Sequence, residues 1–238
     1  MRTESSTYTI IYAVVMVILV ALGLSFTHQA LSERQTKNVQ IDKMQQILRS
    51  LKQDEKDITT DKAEEKYSNI ITDAYLINSD TGEKDASTAG ALPTDPAFMV
   101  NVAAGEGLPV YEASIDGDKK YILPLDGKGL WGSIWGYIAI DSDGETVYGV
   151  EFGHDSETPG LGAEITHMPF RQQFEGKELF KNGEFKSIAV VKKGRTLADK
   201  DYVDGISGGT ITSQGVDAMI YDSVNKYKNF LVNLNSSN

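Results

Sequence analysis

Three glycine-rich segments carry the side chains with which this chain could do chemistry. The most specific is Asp204-Gly205-Ile206-Ser207-Gly208-Gly209-Thr210-Ile211-Thr212-Ser213. Glycines followed by hydroxyl residues at the start of a helix make an anion site, because first-turn N–H groups are unpaired and the helix dipole favours negative charge. The same residues equally suit an ordinary helix cap, with Thr212 or Ser213 accepting from the first-turn amides. No lysine follows the glycines, so this is not the phosphate loop of a nucleoside triphosphatase. The second segment runs from His154 to Glu164 and contains Glu157-Thr158-Pro159-Gly160-Leu161-Gly162. Pro159-Gly160 suits a tight turn, and the glycines let backbone amides approach a flat ligand closely. His154, Asp155 and Glu157 offer acid–base groups. Ser156 lacks a Gly-x-Ser-x-Gly elbow, and adjacent residues cannot form a hydrolase triad. The third segment is Gly127-Lys128-Gly129-Leu130-Trp131-Gly132, a loop whose tryptophan either anchors it in the core or faces a ligand.

Composition narrows the chemistry. The chain has no cysteine, which excludes disulfides, thiolate catalysis and cysteine-ligated metal centres. Its three histidines, His28, His154 and His167, form no His-x-x-x-His pair, so no dedicated metal site is expected. A formal net charge of −11 leaves no basic face for nucleic acid. Redox chemistry here would need an organic cofactor.

The elements that must position these segments follow from hydropathy. No Asp, Glu, Lys or Arg occurs between Glu4 and Glu33, and Tyr8 to Phe26 is almost wholly apolar. A run of about 20 such residues crosses a bilayer core, and the few basic residues before it argue for an uncleaved anchor over a signal peptide. Arg2 precedes the span and Arg34 and Lys37 follow it, so the charge rule alone does not place the bulk of the chain outside the cytoplasm. Ile41, Met44, Ile47, Leu48 and Leu51 recur at helical spacing beyond the anchor. Residues 53–68 are highly charged and 79–89 read as turn, which places a boundary near residue 95. The expected organisation is an anchor over 1–30, a helical and connecting segment over 31–95, and a ligand-binding domain over 96–238.

Within that domain, short β-like runs cover Val110–Ser114, Tyr121–Leu125, Ile134–Ile140, Thr146–Phe152 and Lys186–Val191. Asp143-Gly144 marks a hairpin between two of them. Helices are expected over Pro169–Phe180 and from Ser213 to Leu231, the latter presenting Val216, Met219, Ile220, Val224, Tyr227 and Leu231 on one face. The fold class is therefore α+β: one N-terminal transmembrane helix, then an antiparallel β-sheet flanked by helices.

Asp204 to Thr210 resembles the Asp-x-x-Ser/Thr-Gly-Ala-Thr flavinylation motif of the FMN-binding domain family, with Gly209 in place of the usual alanine. Gly127–Gly132 and Glu157–Gly162 are similar to segments that surround the flavin ring in that family. The three segments in this order, behind one span, resemble the C subunits of sodium-translocating NADH:quinone reductases. The G subunits of ferredoxin-linked electron-transport complexes are the alternative within the family, and a cofactor-free tethered scaffold is the alternative outside it.

The resemblance implies FMN joined covalently through its phosphate to Thr210 by a separate flavin transferase, with Ser207, Gly208 and Gly209 among the cofactor-binding residues and Asp204 assisting that enzyme, forming the turn, or both. It implies Trp131 and Leu161 packing on the ring, and Lys128, Glu157, Thr158 and Gly162 giving polar or backbone contacts. His154 and Lys192 could lie near the flavin and tune it. It further implies electron relay from an iron–sulfur donor to a flavin on a neighbouring membrane protein of the complex, with no catalytic acid or base. The chain would be single-pass in a bacterial inner membrane with its bulk periplasmic. No ionisable residue stands between Tyr8 and Phe26, so ion movement would belong to the partner subunits.

Overall fold

A computed structural model describes residues 6–85 and 107–236. The chain falls into two units, Met1–Asp42 and Lys43–Asn238. Helix α1 (Ser6–Ser50) supplies the first unit and continues into the second. Its Ser6–Ser32 stretch of 27 residues is apolar, and none of it is buried against the protein. At 1.5 Å per residue that stretch reaches about 40 Å, enough to cross a hydrocarbon core of about 30 Å. Thr27 satisfies its hydroxyl within the helix by donating to the Gly23 carbonyl at 2.8 Å. An uncovered apolar helix of this length is a membrane anchor.

The second unit is built on a five-stranded antiparallel sheet in chain order: β1 (Ile71–Ile77), β2 (Leu108–Ile115), β3 (Asp118–Lys128), β4 (Ser133–Asp141) and β5 (Val147–His154). Both faces are buried, which is why the strands read as nearly continuous apolar runs. The side-chain period of two sorts them. Val110, Leu123, Leu125, Ile138, Val150 and Phe152 pack with Val216, Met219, Ile220 and Val224 of helix α4 (Thr210–Asn225) and Leu231 of α5 (Lys228–Ser236). Tyr111, Ala113, Ile122, Tyr137 and Ala139 face the other way, against Ile47, Leu48 and Leu51 near the end of α1 and Tyr67 and Ile70 of α2 (Ala63–Ile70). The β4–β5 hairpin turns at Asp143-Gly144 as expected. The Asp143 carboxylate accepts the Glu145 and Thr146 amides, both at 2.9 Å, and Gly144 takes φ +71°.

Four elements differ from the sequence expectation. The boundary expected near residue 95 lies outside the described residues; before it, β1 pairs with β2 and so joins the same sheet. The helix expected over Pro169–Phe180 is only α3 (Met168–Arg171) and one 3-10 turn, Gln172–Phe174. Phe170 and Phe174 both bury against Phe152, so the four-residue spacing is genuine, but Gly176 at φ +70° ends the run. The strand expected from Lys186 shrinks to β8 (Ala189–Val191), since Ser187 has φ +59°. β8 pairs in parallel with β9 (Tyr202–Asp204), while β6 (Phe180–Lys181) and β7 (Glu184–Phe185) form a small hairpin. The C-terminal helix starts at Thr210 and breaks near Tyr227, whose buried hydroxyl donates to the Pro109 carbonyl at 3.0 Å.

Candidate functional site

The sheet and α4 bring the three glycine-rich segments together. The Gly127–Gly132 segment is the β3–β4 turn, closed by the Gly129 amide donating to the Gly132 carbonyl at 2.9 Å. The His154–Glu164 segment leaves β5 beside it, because His154 is the register partner of Ile134 and the Asp155 amide donates to the Ser133 carbonyl at 3.0 Å. α4 lies close on β3: a Cβ on Gly127 would sit 2.6 Å from the Met219 side chain, and one on Gly215 would collide with the Lys128 carbonyl. Glycine at both positions lets helix and strand approach nearer than any side chain permits, which seats the start of α4 against the β3–β4 turn.

Glu157 ties the segments to one another. It is 4% exposed. Its Oε1 accepts the Trp131 amide at 2.9 Å and its Oε2 accepts the Thr212 hydroxyl at 2.5 Å. Desolvation pushes its carboxyl up. The Thr212 hydroxyl, the Trp131 and Leu130 amides and the proximity of His154 together outweigh that and hold it below the usual carboxylate range. The Glu157 amide in turn donates to His154 Nδ1 at 3.3 Å. Gly162 is packed beneath this pair, where any side chain would overlap the Glu157 carboxylate and the Thr212 hydroxyl.

The Asp204–Thr210 turn is held from both ends. Gln173 brackets Asp204, its Oε1 accepting the Asp204 amide at 2.9 Å and its Nε2 donating to the Asp204 carbonyl at 3.4 Å. The Gly205 amide donates to the Val191 carbonyl at 2.7 Å. Ser213 Oγ accepts the Ile206 amide at 2.9 Å. Neither Ser213 nor Thr212 therefore caps α4, and no side chain does. Of the two readings of this segment, the plain cap by Thr212 or Ser213 is therefore excluded. Gly208 at φ +80° lies against Leu161. Gly209 at φ −107° could hold the family's alanine, whose Cβ would stand 3.2 Å from Ile206 and 3.3 Å from the Gly162 amide.

Thr210 is exposed at the first position of α4, whereas Thr212, two residues on, is 1% exposed. On the same three segments three large apolar side chains face solvent: Trp131, 66% exposed, with Leu161 and Ile211. Trp131 is thus not a core anchor. Lys128, Thr158, Ser207, Gly208 and Lys192 are exposed, while Gly162 and Glu157 are buried and bonded within the protein. The Thr158 carbonyl closes its own turn by accepting the Leu161 and Ala163 amides. Sequence reasoning did not identify Ile211 or Gln173. An apolar residue next to the motif threonine was a usable signal for Ile211; nothing in the sequence marks Gln173, which reaches Asp204 only through the fold. Among the described residues no group of His, Asp and Glu could hold a metal ion. The donor set suits a flat heterocycle with a phosphate: apolar surface for the ring, and an uncapped helix start with a free-standing hydroxyl for the phosphate.

Comparison with known proteins agrees with that chemistry. Residues 129–225, which span all three segments, match the FMN-binding domain family. The fold superimposes with a TM-score of 0.76 on the crystal structure of the Na(+)-translocating NADH-quinone reductase C subunit from Parabacteroides distasonis, at 49% identity over 84% of this chain and 96% of that one. The C subunit from Vibrio anguillarum is 28% identical over 90% of this chain and 89% of its own length. The C subunit from Vibrio vulnificus is 44% identical over 101 residues, 42% of this chain and 40% of that relative's length. With near-complete coverage of a solved relative at almost half identity, and an anchor, sheet and FMN-domain match in the expected order, this chain belongs to the family of Na(+)-translocating NADH-quinone reductase C subunits.

Proposed function

We propose that this chain is the membrane-anchored subunit that holds FMN as a phosphoester on Thr210 and relays electrons within a Na(+)-translocating NADH:quinone reductase. The observation that carries the reading is the Thr210 hydroxyl, exposed at the uncapped start of α4, with exposed Trp131, Leu161 and Ile211 on the three segments that the fold brings together. FMN, when bound, supplies reversible electron transfer. The chain's residues do the rest. The Thr210 hydroxyl would give up its proton and its Oγ1 would bond to the flavin-side phosphorus of a flavin dinucleotide as the pyrophosphate P–O bond breaks and a nucleoside monophosphate leaves, in a reaction run by a flavin transferase. First-turn amides of α4 oppose the phosphate charge. The apolar side chains cover the ring and keep water from one side of it. A covalent tether prevents loss of the cofactor on the periplasmic side of the inner membrane, where we place the domain. Other membrane proteins of the complex supply the donor, the acceptor and the ion path.

The test is expression of the full chain with a flavin transferase, followed by denaturing electrophoresis and peptide mass mapping. In-gel flavin fluorescence, with a mass gain of FMN less one water on Thr210, is the expected result. Thr210→Ala is expected to abolish both while changing stability by no more than about 0.5 kcal/mol, since an exposed hydroxyl contributes little to the fold. A dark band from the wild type beside an active transferase would refute the reading.

A further inference from the structure

Glu157 stands out among the buried charged groups. Lys120 pairs with Asp141, and Arg171 with Glu151, each an ion pair that settles two opposite charges. Glu157 has no ion-pair partner within 4 Å among the described residues; besides the nearby His154, neutral donors from two other segments compensate it, the Trp131 amide 26 residues away and the Thr212 hydroxyl 55 residues away. A buried carboxylate satisfied by neutral donors keeps its net charge and projects it into its surroundings. Those surroundings are the flavin site. One oxygen fixes the loop that presents exposed Trp131, and the other fixes the first turn of α4, which presents exposed Thr210.

We propose that Glu157 is a positioning residue for the flavin site: a buried anionic latch that holds the Trp131 loop against the first turn of α4, withholds the Thr212 hydroxyl from modification, and sets a fixed negative charge beside the bound flavin. The assignment deepens the FMN reading and rests on it. Glutamate is required rather than glutamine because three donors converge on its two oxygens, and an amide nitrogen would face one of them. Gly129 and Gly162 make room for the carboxylate, since a Cβ at either would overlap it.

The test uses the full chain in detergent as wild type, Glu157→Gln and Thr212→Val, each made with and without a flavin transferase. In the flavin-free chain, amide hydrogen exchange is followed over residues 129–132. Both substitutions are expected to speed exchange at Trp131 by about tenfold or more while the peptides of β3 and β4 stay protected. Rates within about twofold of wild type in both would overturn the latch. In the loaded chain the flavin midpoint potential and fluorescence are measured. Glu157→Gln is expected to move the midpoint to more positive values, because the negative charge that opposes added electrons is gone. Thr212→Val, which keeps the charge, is expected to alter flavin fluorescence but not to reproduce that shift. A wild-type midpoint in loaded Glu157→Gln would overturn the electrostatic role. A wild-type chain that takes up no flavin beside an active transferase would refute the FMN reading instead, with the exchange arm still deciding the latch. If Glu157→Gln does not fold, Thr212→Val exchange decides it.

Discussion

At the scale of single residues, the site depends on two glycines that act in opposite ways. Gly162 sits where a methyl group would overlap the Glu157 carboxylate and the Thr212 hydroxyl, so Gly162→Ala is expected to cost about 2 kcal/mol in denaturant unfolding and to lower flavin loading. Gly209 has an ordinary φ and neighbours at 3.2–3.3 Å that need move only slightly, so Gly209→Ala is expected to keep stability within about 0.5 kcal/mol and to keep loading. The Glu157 carboxyl lies below its ordinary range, so its contribution is present above the unfolded-state value and is lost as pH falls through the lowered folded-state value. The stability difference between wild type and Glu157→Gln is therefore expected to be flat from neutral pH to about 4.3 and to shrink with further acid, as measured by melting at a series of pH values. The Thr210 turn was legible in the sequence as a helix start, because glycines followed by hydroxyls suit either an anion site or a cap. The latch was not, because the partners of Glu157 lie 26 and 55 residues away and only the fold joins them.

At the scale of elements, the segment from Gly162 to Phe174 works as a wedge under the Thr210 turn. Phe170 and Phe174 bury it against Phe152 of β5, with ring centroids 5.4–5.9 Å apart, and this places Gln173 at Asp204. Phe174→Ala is expected to cost about 3–5 kcal/mol. Gln173→Ala leaves the aromatic cluster intact and is expected to cost about 1–2 kcal/mol, slowing flavin attachment while the chain still melts cooperatively; rates of in-gel fluorescence gain separate the two variants. Strands β3 to β5 were readable because turn residues bound them and β-branched and aromatic side chains fill them. β1 was hidden: it follows a charged stretch, and its partner strand comes after a long intervening segment. The short α3 misled because Phe170, Phe174 and Leu179 mimic a longer helical face that Gly176 cuts off.

At the scale of the molecule, the anchor and the flavin-binding unit obey different solvents. The apolar Ser6–Ser32 stretch has no protein cover, whereas the residues from Lys43 onward bury two cores on the two faces of one sheet. A chain beginning at Lys43 is expected to be soluble without detergent, to melt in one cooperative transition, and to accept flavin from a purified transferase; light scattering, calorimetry and fluorescence check the three in turn. The C-terminal helix also sets an order of events during synthesis. α5 packs Phe230 on Tyr121, 109 positions away, and grips the 79–81 turn through Asn229 and Asn233, about 150 positions away. They can form only once α5 has left the ribosome, so until then one flank of the sheet stays open. A prematurely ended chain therefore exposes apolar strand surface that invites aggregation.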